Sequence, residues 1–355
     1  MPKAKIAGMG FYVPEKEVKN HEFEAYMDTN DAWIRERTGI ESRRFAVKHK
    51  ETTSTMAAKA AEIAIERAGI TKEEVDFIIF ATLSPDYYFP GSGVLLQREL
   101  GITKTEIGAL DIRNQCSGFI YGLSIADQFI KSGMYKNILL VGSEMHSMGL
   151  DFSTRGRNVT VIFGDGAGAA IIQPSDDASE ILTTKLHSDG TYAEKLSFMS
   201  PGSHGGYHMD KLEEKLDYGW PDENVPAEIF ATQKMMDDRH FYPHMEGQFV
   251  FKLAVQKFPA VIQEALESVN LTSADIDLLV PHQANLRISQ FVQKRLGLSD
   301  DQVMNNIQKY GNTTAASIPI ALCEAWEEGR VKKGDLICLA AFGSGFTWGS
   351  ALIRW

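Results

Sequence analysis

The chain is written twice, and that duplication limits its architecture more than any other feature. Gly69-Ile-Thr-Lys-Glu-Glu-Val-Asp-Phe-Ile-Ile-Phe80 reads like Asn270-Leu-Thr-Ser-Ala-Asp-Ile-Asp-Leu-Leu-Val-Pro281, position by position. Each copy follows an amphipathic helical pattern, residues 55–68 in the first case and residues 249–269, interrupted by Pro259, in the second. Gly133-Met-Tyr-Lys-Asn-Ile-Leu-Leu-Val141 resembles Gly329-Arg-Val-Lys-Lys-Gly-Asp-Leu-Ile-Cys-Leu339, and Phe163-Gly-Asp-Gly-Ala-Gly recurs as Phe342-Gly-Ser-Gly-Phe. Three collinear echoes imply an internal duplication with an offset of about 200 residues, far longer than solenoid repeats.

The pattern in each half predicts an α/β fold. Apolar runs at 78–83, 138–141 and 276–280 are apolar on both faces and separated by helices, which suggests mostly parallel sheets covered by helices. Two halves, 1–197 and 245–355, related by a pseudo-twofold axis would set equivalent loops side by side. A site at their junction would draw groups from each. Residues 198–244 break the rhythm, being rich in Gly, His, Met, Asp and Glu and carrying Pro201, Pro221, Pro226 and Pro243. An insertion of this kind is a substrate-covering lid or a surface excursion, and its position between the halves favours the lid.

Composition excludes several classes. No apolar run approaches the ~20 residues that span a bilayer, and no leader pattern precedes the first strand, so a cytoplasmic enzyme is expected. The three cysteines, Cys116, Cys323 and Cys338, form no CxxC pair. A formal net charge of −11 argues against general attraction to nucleic acid or to an anionic membrane, so an acidic partner must dock on a local basic patch.

Cys116 holds the address of a nucleophile. The strand-like run Ala109-Leu-Asp-Ile ends in Arg-Asn-Gln, and the thiol then opens a helical pattern over residues 119–130. A helix N-terminus offers unpaired N–H groups and partial positive charge, which can lower a thiol pKa from about 8.5 to roughly 3.5–7.5. The competing reading is a small core residue at a strand-to-helix junction. His282 lies in Val280-Pro-His-Gln-Ala-Asn-Leu-Arg287, directly after the second-half copy of the 77–80 strand. Asn312 lies in Lys309-Tyr-Gly-Asn-Thr-Thr-Ala-Ala-Ser317, the turn that occupies the place of the Cys116 turn in the second half. Symmetry therefore brings Asn312 opposite Cys116, with His282 on an adjoining loop. Taken singly, Asn312 also reads as a helix cap and His282 as a satisfied buried histidine.

Asn-Gln-Cys-Ser-Gly-Phe, Phe-Gly-Asp-Gly-Ala-Gly-Ala, Pro-His-Gln-Ala-Asn-Leu-Arg, Tyr-Gly-Asn-Thr-Thr-Ala-Ala-Ser and Phe-Gly-Ser-Gly-Phe-Thr-Trp-Gly-Ser-Ala-Leu together resemble the motif set of the β-ketoacyl-acyl-carrier-protein synthase III family. The match is collinear from Ala7 to Trp355, includes Trp33-Ile-Arg-Glu-Arg-Thr-Gly-Ile40, and fails only in the insertion. The resemblance implies the thiolase fold, a duplicated five-layered αβαβα arrangement with mostly parallel-type mixed sheets, normally a homodimer. It also implies decarboxylative condensation of an acyl-CoA primer with malonyl-acyl carrier protein through an acyl-Cys116 intermediate, with no cofactor and no metal.

By the same resemblance His282 and Asn312 donate hydrogen bonds to the enolate oxygen, and the backbone N–H groups of Cys116 and Ser344 form a second oxyanion hole. Trp33, Arg37 and Arg157 resemble CoA contacts, with Arg155 a rival to Arg157. Phe251 and Asn285 fall in the pantetheine region, and Gln115 at the acyl pocket. Phe89 matches a residue that reaches across the dimer to wall the partner's acyl pocket. Arg287, Lys252, Lys294 and Arg295 form a basic strip suited to an acidic carrier protein.

Asparagine at 312 separates the chain from elongating ketosynthases, which resemble this layout but use a second histidine there. Cys338, followed by Leu-Ala-Ala, lacks the Cys-x-Gly of thiolases and reads as a buried strand residue. Chalcone-synthase-like ketosynthases share Cys, His and Asn and stay open as an alternative, as do acyl-CoA-dependent acyltransferases. Asn114 and Gln115 stand where housekeeping relatives often have small residues, and Gly247-Gln248 stands where Gly-Asn is usual. With the insertion, these departures lead us to expect a medium or long acyl primer. His204, His208 and Asp210 lack a closing metal ligand, Gly8-Met-Gly10 lacks the third glycine of a dinucleotide fingerprint, and Gly164-Asp-Gly-Ala-Gly168 lacks the Lys-Ser/Thr of a phosphate loop.

Overall fold

The structure, a computed structural model, describes residues 2–203, 233–237 and 241–355. The echoed segments adopt the same local structure for the same reasons. Gly69 and Asn270, at φ +69° and +57°, end their helices in the left-handed conformation that glycine and asparagine tolerate best. Thr71 and Thr272 then cap single turns, each boxed by a carboxylate three residues on, as Glu74 and Asp275 accept from their backbone N–H groups at 2.8 and 2.7 Å. Asp76 and Asp277 next accept from the backbone at the head of the neighbouring strand, from Lys136 N–H and from Leu336 N–H.

The strands form two principal sheets. In the first, Lys3–Tyr12 (β1), Gly166–Ser175 (β7), Ile138–Glu144 (β6), Phe77–Ala81 (β4) and Gly108–Ile112 (β5) lie in that order. In the second, Glu180–Ser188 (β8), Thr347–Arg354 (β13), Leu336–Gly343 (β12) and Leu278–Pro281 (β11) repeat the arrangement. Two short ribbons, Glu17–Lys19 (β2) with Ser42–Arg44 (β3) and Leu196–Ser197 (β9) with His244–Met245 (β10), lie outside them. The place of a fifth strand in the second sheet is taken by one bridge, Leu279 to Val303. Both sheets are mixed. The helix-linked pairs β4/β5, β4/β6 and β11/β12 are parallel as expected, whereas the closing strands β7 and β1, and β13 and β8, run antiparallel. For β12 and β13 the short connection at 344–346 makes a hairpin, which is antiparallel by necessity. Because β8 comes from the 1–197 stretch, sheet membership does not follow the division into 1–197 and 245–355.

Helices Gly118–Lys131 and Ser317–Glu327 pack between the sheets and touch both, Thr53–Arg67 and Ser92–Glu99 cover the outer face of the first, and Gly247–Ser268 covers the second with Leu286–Leu296 beside it. Five layers, αβαβα, result. β12 shows how the sequence specifies them: Ile337, Leu339 and Ala341 enter the central core, while Leu336, Cys338, Ala340 and Phe342 enter the outer one. Cys338 is thus a strand residue in an apolar core. The helix Gly247–Ser268 is continuous through Pro259, against the interruption expected from sequence. One lost backbone hydrogen bond is outweighed by burying Phe258, Val261, Ile262, Ala265 and Leu266, each worth about 1–3 kcal/mol, against the second sheet.

Candidate active site

Site residues from both halves meet at the carboxyl ends of the strands, where open α/β sheets hold ligands. Cys116 follows β5 in a single turn, Gln115–Ser117, and the helix Gly118–Lys131 begins two residues later. The matching turn of the second half is Thr314–Ala316, ahead of Ser317–Glu327. Residue for residue, Cys116 therefore pairs with Ala315, and the strained positions before them, Gln115 at φ +43° and Thr314 at φ +49°, also correspond. Asn312 comes to the pocket from three residues upstream of Ala315, by a clamp: its N–H donates to Ile162 C=O (2.9 Å) and its C=O accepts from Gly164 N–H (3.1 Å).

A single cavity of roughly 630 Å³ is lined by Cys116, His282, Asn312 and Ser344 at its inner end and by Trp33, Arg37 and Arg287 among others. Gln115, Phe251 and Asn285 also line it. The Cys116 turn is pinned from the opposite half, because Ser117 Oγ and Thr347 Oγ1 share a hydrogen bond of 2.7 Å. Gly343, whose importance the sequence alone did not reveal, abuts the thiol so closely that a side-chain carbon there would overlap Cys116 Cβ and Sγ.

The thiol contradicts the expectation of a lowered pKa. Burial, reinforced by the buried Glu144 carboxyl, pushes it from 9.0 up to about 12, against the pull of hydrogen bonds to sulfur from the backbone N–H groups of Ser344 and Cys116. That rise corresponds to roughly 4 kcal/mol, whereas a helix N-terminus supplies about 0.3–2 kcal/mol, so desolvation wins. Burial thus favours the neutral form of the Cys116 thiol. Alkylation of Cys116 by iodoacetamide, followed by peptide mass analysis in the absence of CoA, is expected to be slow at pH 7.5 and to climb about tenfold per pH unit through pH 10. A plateau near pH 7 would show a preformed thiolate instead.

His282 is held at the end of β11, where its N–H extends the ladder to Ala340 C=O at 2.8 Å. Burial holds its pKa at about 3, so the imidazole is neutral. Nδ1 lies 2.6 Å from Ser317 Oγ, which also accepts from Gln283 N–H at 3.4 Å. When the Ser317 hydroxyl donates to Nδ1, the hydrogen of the neutral imidazole sits on Nε2. Nε2 is buried and has no partner among the described residues. That position at the cavity wall lets Nε2 meet an oxygen of a bound substrate. Ser317, the last residue of the Asn312 motif, was not singled out from sequence.

The outer contacts vary. Trp33 is flanked by two guanidinium groups, Arg37 at 4.5 Å and Arg157 at 5.2 Å from its ring. Arg157 is outside the cavity wall but beside Trp33, whereas Arg155 is turned to Asp151 at 2.8 Å. Asn285 caps the helix Leu286–Leu296 by accepting from Arg287 N–H (2.9 Å) and donates to Arg37 C=O (2.8 Å), a structural duty at the cavity wall. Arg287 stands over Phe251 at 5.9 Å. Lys252, Lys294 and Arg295 are exposed beyond the cavity. Phe89 is also outside it, 81% exposed near the open edge of the first sheet. His204, His208, Asp210 and most of the 198–244 segment lie outside the described residues, and among the described residues no cluster of three metal ligands occurs.

A duplicated αβαβα fold with cysteine, histidine and asparagine converging on one cavity defines a thiolase-fold condensing enzyme. Family profiles for 3-oxoacyl-[acyl-carrier-protein] synthase III and for its C-terminal part match residues 110–190 and 266–355. The chain is 44% identical over 353 residues to β-ketoacyl-[acyl-carrier-protein] synthase III of Clostridioides difficile, covering 99% of this chain and 98% of that one. It is 42% identical over 352 residues to the enzyme of the same name from Caldanaerobacter subterraneus, with 99% and 98% covered. Among solved structures, the Aquifex aeolicus 3-oxoacyl-[acyl-carrier-protein] synthase III superposes with a TM-score of 0.84 at 40% identity, covering 99% of this chain and 100% of that one. The priming β-ketosynthase of the R1128 polyketide pathway gives 0.83 at 31%, covering 99% and 97%. The chain belongs to the β-ketoacyl-acyl-carrier-protein synthase III family.

Proposed function

We infer that this protein joins an acyl group from acyl-CoA to the two-carbon unit of malonyl-acyl carrier protein, releasing CO2 and CoA and leaving a β-ketoacyl chain on the carrier. The observation that carries the reading is the unpartnered Nε2 of neutral His282 on the same cavity wall as Cys116 and Asn312. Cys116 Sγ attacks the primer thioester, and the thiol proton leaves with the CoA sulfur. Malonyl-carrier protein then loses CO2, so the electron pair of the broken C–C bond becomes an enolate and no proton need be abstracted. The Nε2 hydrogen of His282 and the Asn312 amide stabilise that enolate oxygen, and the enolate carbon attacks the acyl thioester. The N–H groups of Ser344 and Cys116 receive the oxyanion, and Cys116 leaves as thiolate and takes up a proton.

Arg287 at the cavity wall, with the exposed Lys252, Lys294 and Arg295, suits docking of an acidic carrier protein. Trp33 between Arg37 and Arg157 suits stacking and charge pairing with the CoA nucleotide. We read the primer as medium or long. CoA and carrier substrates, and three cysteines without disulfide partners, agree with a cytoplasmic enzyme. Incubation with acyl-CoA and malonyl-acyl carrier protein is expected to give one round of elongation with the product on the carrier. Turnover with malonyl-CoA alone into CoA-bound or multiply extended products would favour the chalcone-synthase-like alternative.

A homodimer is part of the same reading. β5 is the edge of the first sheet, with Ala109, Leu110 and Asp111 exposed, and Tyr87, Tyr88, Phe89 and Val94 exposed nearby. An open edge bearing an apolar patch is a surface built for pairing. Leu110→Lys is expected to convert a dimer to a monomer in sedimentation velocity. A wild-type monomer at micromolar concentration would contradict the reading.

A further inference from the structure

Behind the pocket wall stands a second buried histidine, His146, to which the condensation chemistry gives no task. It follows β6, and its ring lies against the Phe163 ring at 4.6 Å between centroids. Its Nε2 is 2.7 Å from Thr314 Oγ1. Phe163 and Thr314 line the cavity and His146 does not, so His146 can reach the pocket only through them. Burial and the nearby His282 hold its pKa at about 3, which keeps the ring neutral.

Thr314 is a β-branched residue at φ +49°, a conformation that persists only where the surroundings impose it. The strained backbone has a visible use: Thr314 N–H donates to Asn312 Oδ1 at 2.8 Å. Because a backbone N–H can only donate, this contact fixes which end of the Asn312 amide is which, and it leaves Nδ2 for the cavity. A flipped amide would offer an acceptor to an enolate oxygen and repel it. The Asn312 backbone is meanwhile clamped between Ile162 and Gly164, on either side of Phe163. His146 therefore touches both arms of the clamp around Asn312, the Thr314 hydroxyl on one side and the Phe163 ring on the other. We propose that His146 is a positioning residue for the condensation step, locking Thr314 and Phe163 so that the Asn312 amide presents Nδ2 to the reacting thioester.

The inference rests on the condensation role assigned to Asn312, and the test separates the two. Full-length His146→Leu, His146→Gln, Thr314→Val and Asn312→Ala proteins are compared in two single-turnover measurements by intact mass. One follows formation of acyl-Cys116 from acyl-CoA, and the other follows loss of the acyl group from acylated enzyme on addition of malonyl-acyl carrier protein. His146→Leu is expected to slow the second step about 10–100-fold while the first keeps its wild-type rate, and Thr314→Val to slow the second step by a similar factor. His146→Gln, whose amide can reach Thr314 Oγ1, is expected to restore most of the loss, and the Leu/Val double variant to be no slower than either single one. A wild-type second step in His146→Leu, or an equal slowing of both steps, overturns the proposal. If Asn312→Ala slows the second step and His146→Leu does not, only the His146 inference falls; if Asn312→Ala has no effect, the assignment beneath it falls too.

Discussion

Cys116→Ala is expected to abolish β-ketoacyl product formation, a loss on the order of 10⁴-fold or more in kcat, as found when a covalent nucleophile is removed. The same variant should still decarboxylate malonyl-acyl carrier protein measurably, because His282, Asn312 and the cavity remain. Were Cys116 only a core residue at a strand-to-helix junction, alanine would leave activity intact and cost stability instead. The side chain is 8% exposed and small, so a Tm fall of only a few degrees is expected, on the order of 1 kcal/mol. Product formation by liquid chromatography and mass spectrometry, with melting followed in parallel, separates the two readings.

The second large effect falls on the donors. His282→Ala and Asn312→Ala are each expected to lower condensation about 10²–10³-fold, the usual cost of removing one oxyanion donor, while leaving acyl transfer to Cys116 in place. Burial holds the His282 pKa at about 3, so the imidazole stays neutral from pH 5 to 9 and its donor role should add no limb to the pH profile across that range. A condensation rate that rose with an apparent pKa near 6.5 in wild type and lost that dependence in His282→Ala would identify the residue as a titrating base and contradict the donor role.

Much of this was legible in the sequence because the duplication repeats side-chain duties as well as hydrophobic pattern. Gly69 and Asn270 both take positive φ, Thr71 and Thr272 both cap, and Asp76 and Asp277 both tie down the head of the next strand. Those local rules carry the register of both sheets. What stayed hidden depends on contacts between distant segments. Nothing adjacent to Gly343 in sequence reveals that it must clear the Cys116 sulfur, and nothing near Ser317 reveals that its hydroxyl meets His282 Nδ1 across 35 residues. The thiol pKa failed as an expectation for the same reason. The helix N-terminus is visible in the sequence, whereas burial beside Glu144, which arrives from β6, exists only after folding.

The central claim is that Cys116 carries the acyl group between two substrates. Intact-mass spectrometry after mixing the enzyme with acyl-CoAs of several chain lengths tests it most directly, with malonyl-acyl carrier protein added as a second step. The expected result is one added acyl mass per chain, located on the Cys116 peptide and favouring medium or long primers. On the second addition that mass should vanish as β-ketoacyl-acyl carrier protein forms. An acyl mass on another residue, or one that persists with malonyl-acyl carrier protein and leaves only when an alcohol or amine is supplied, would contradict the account.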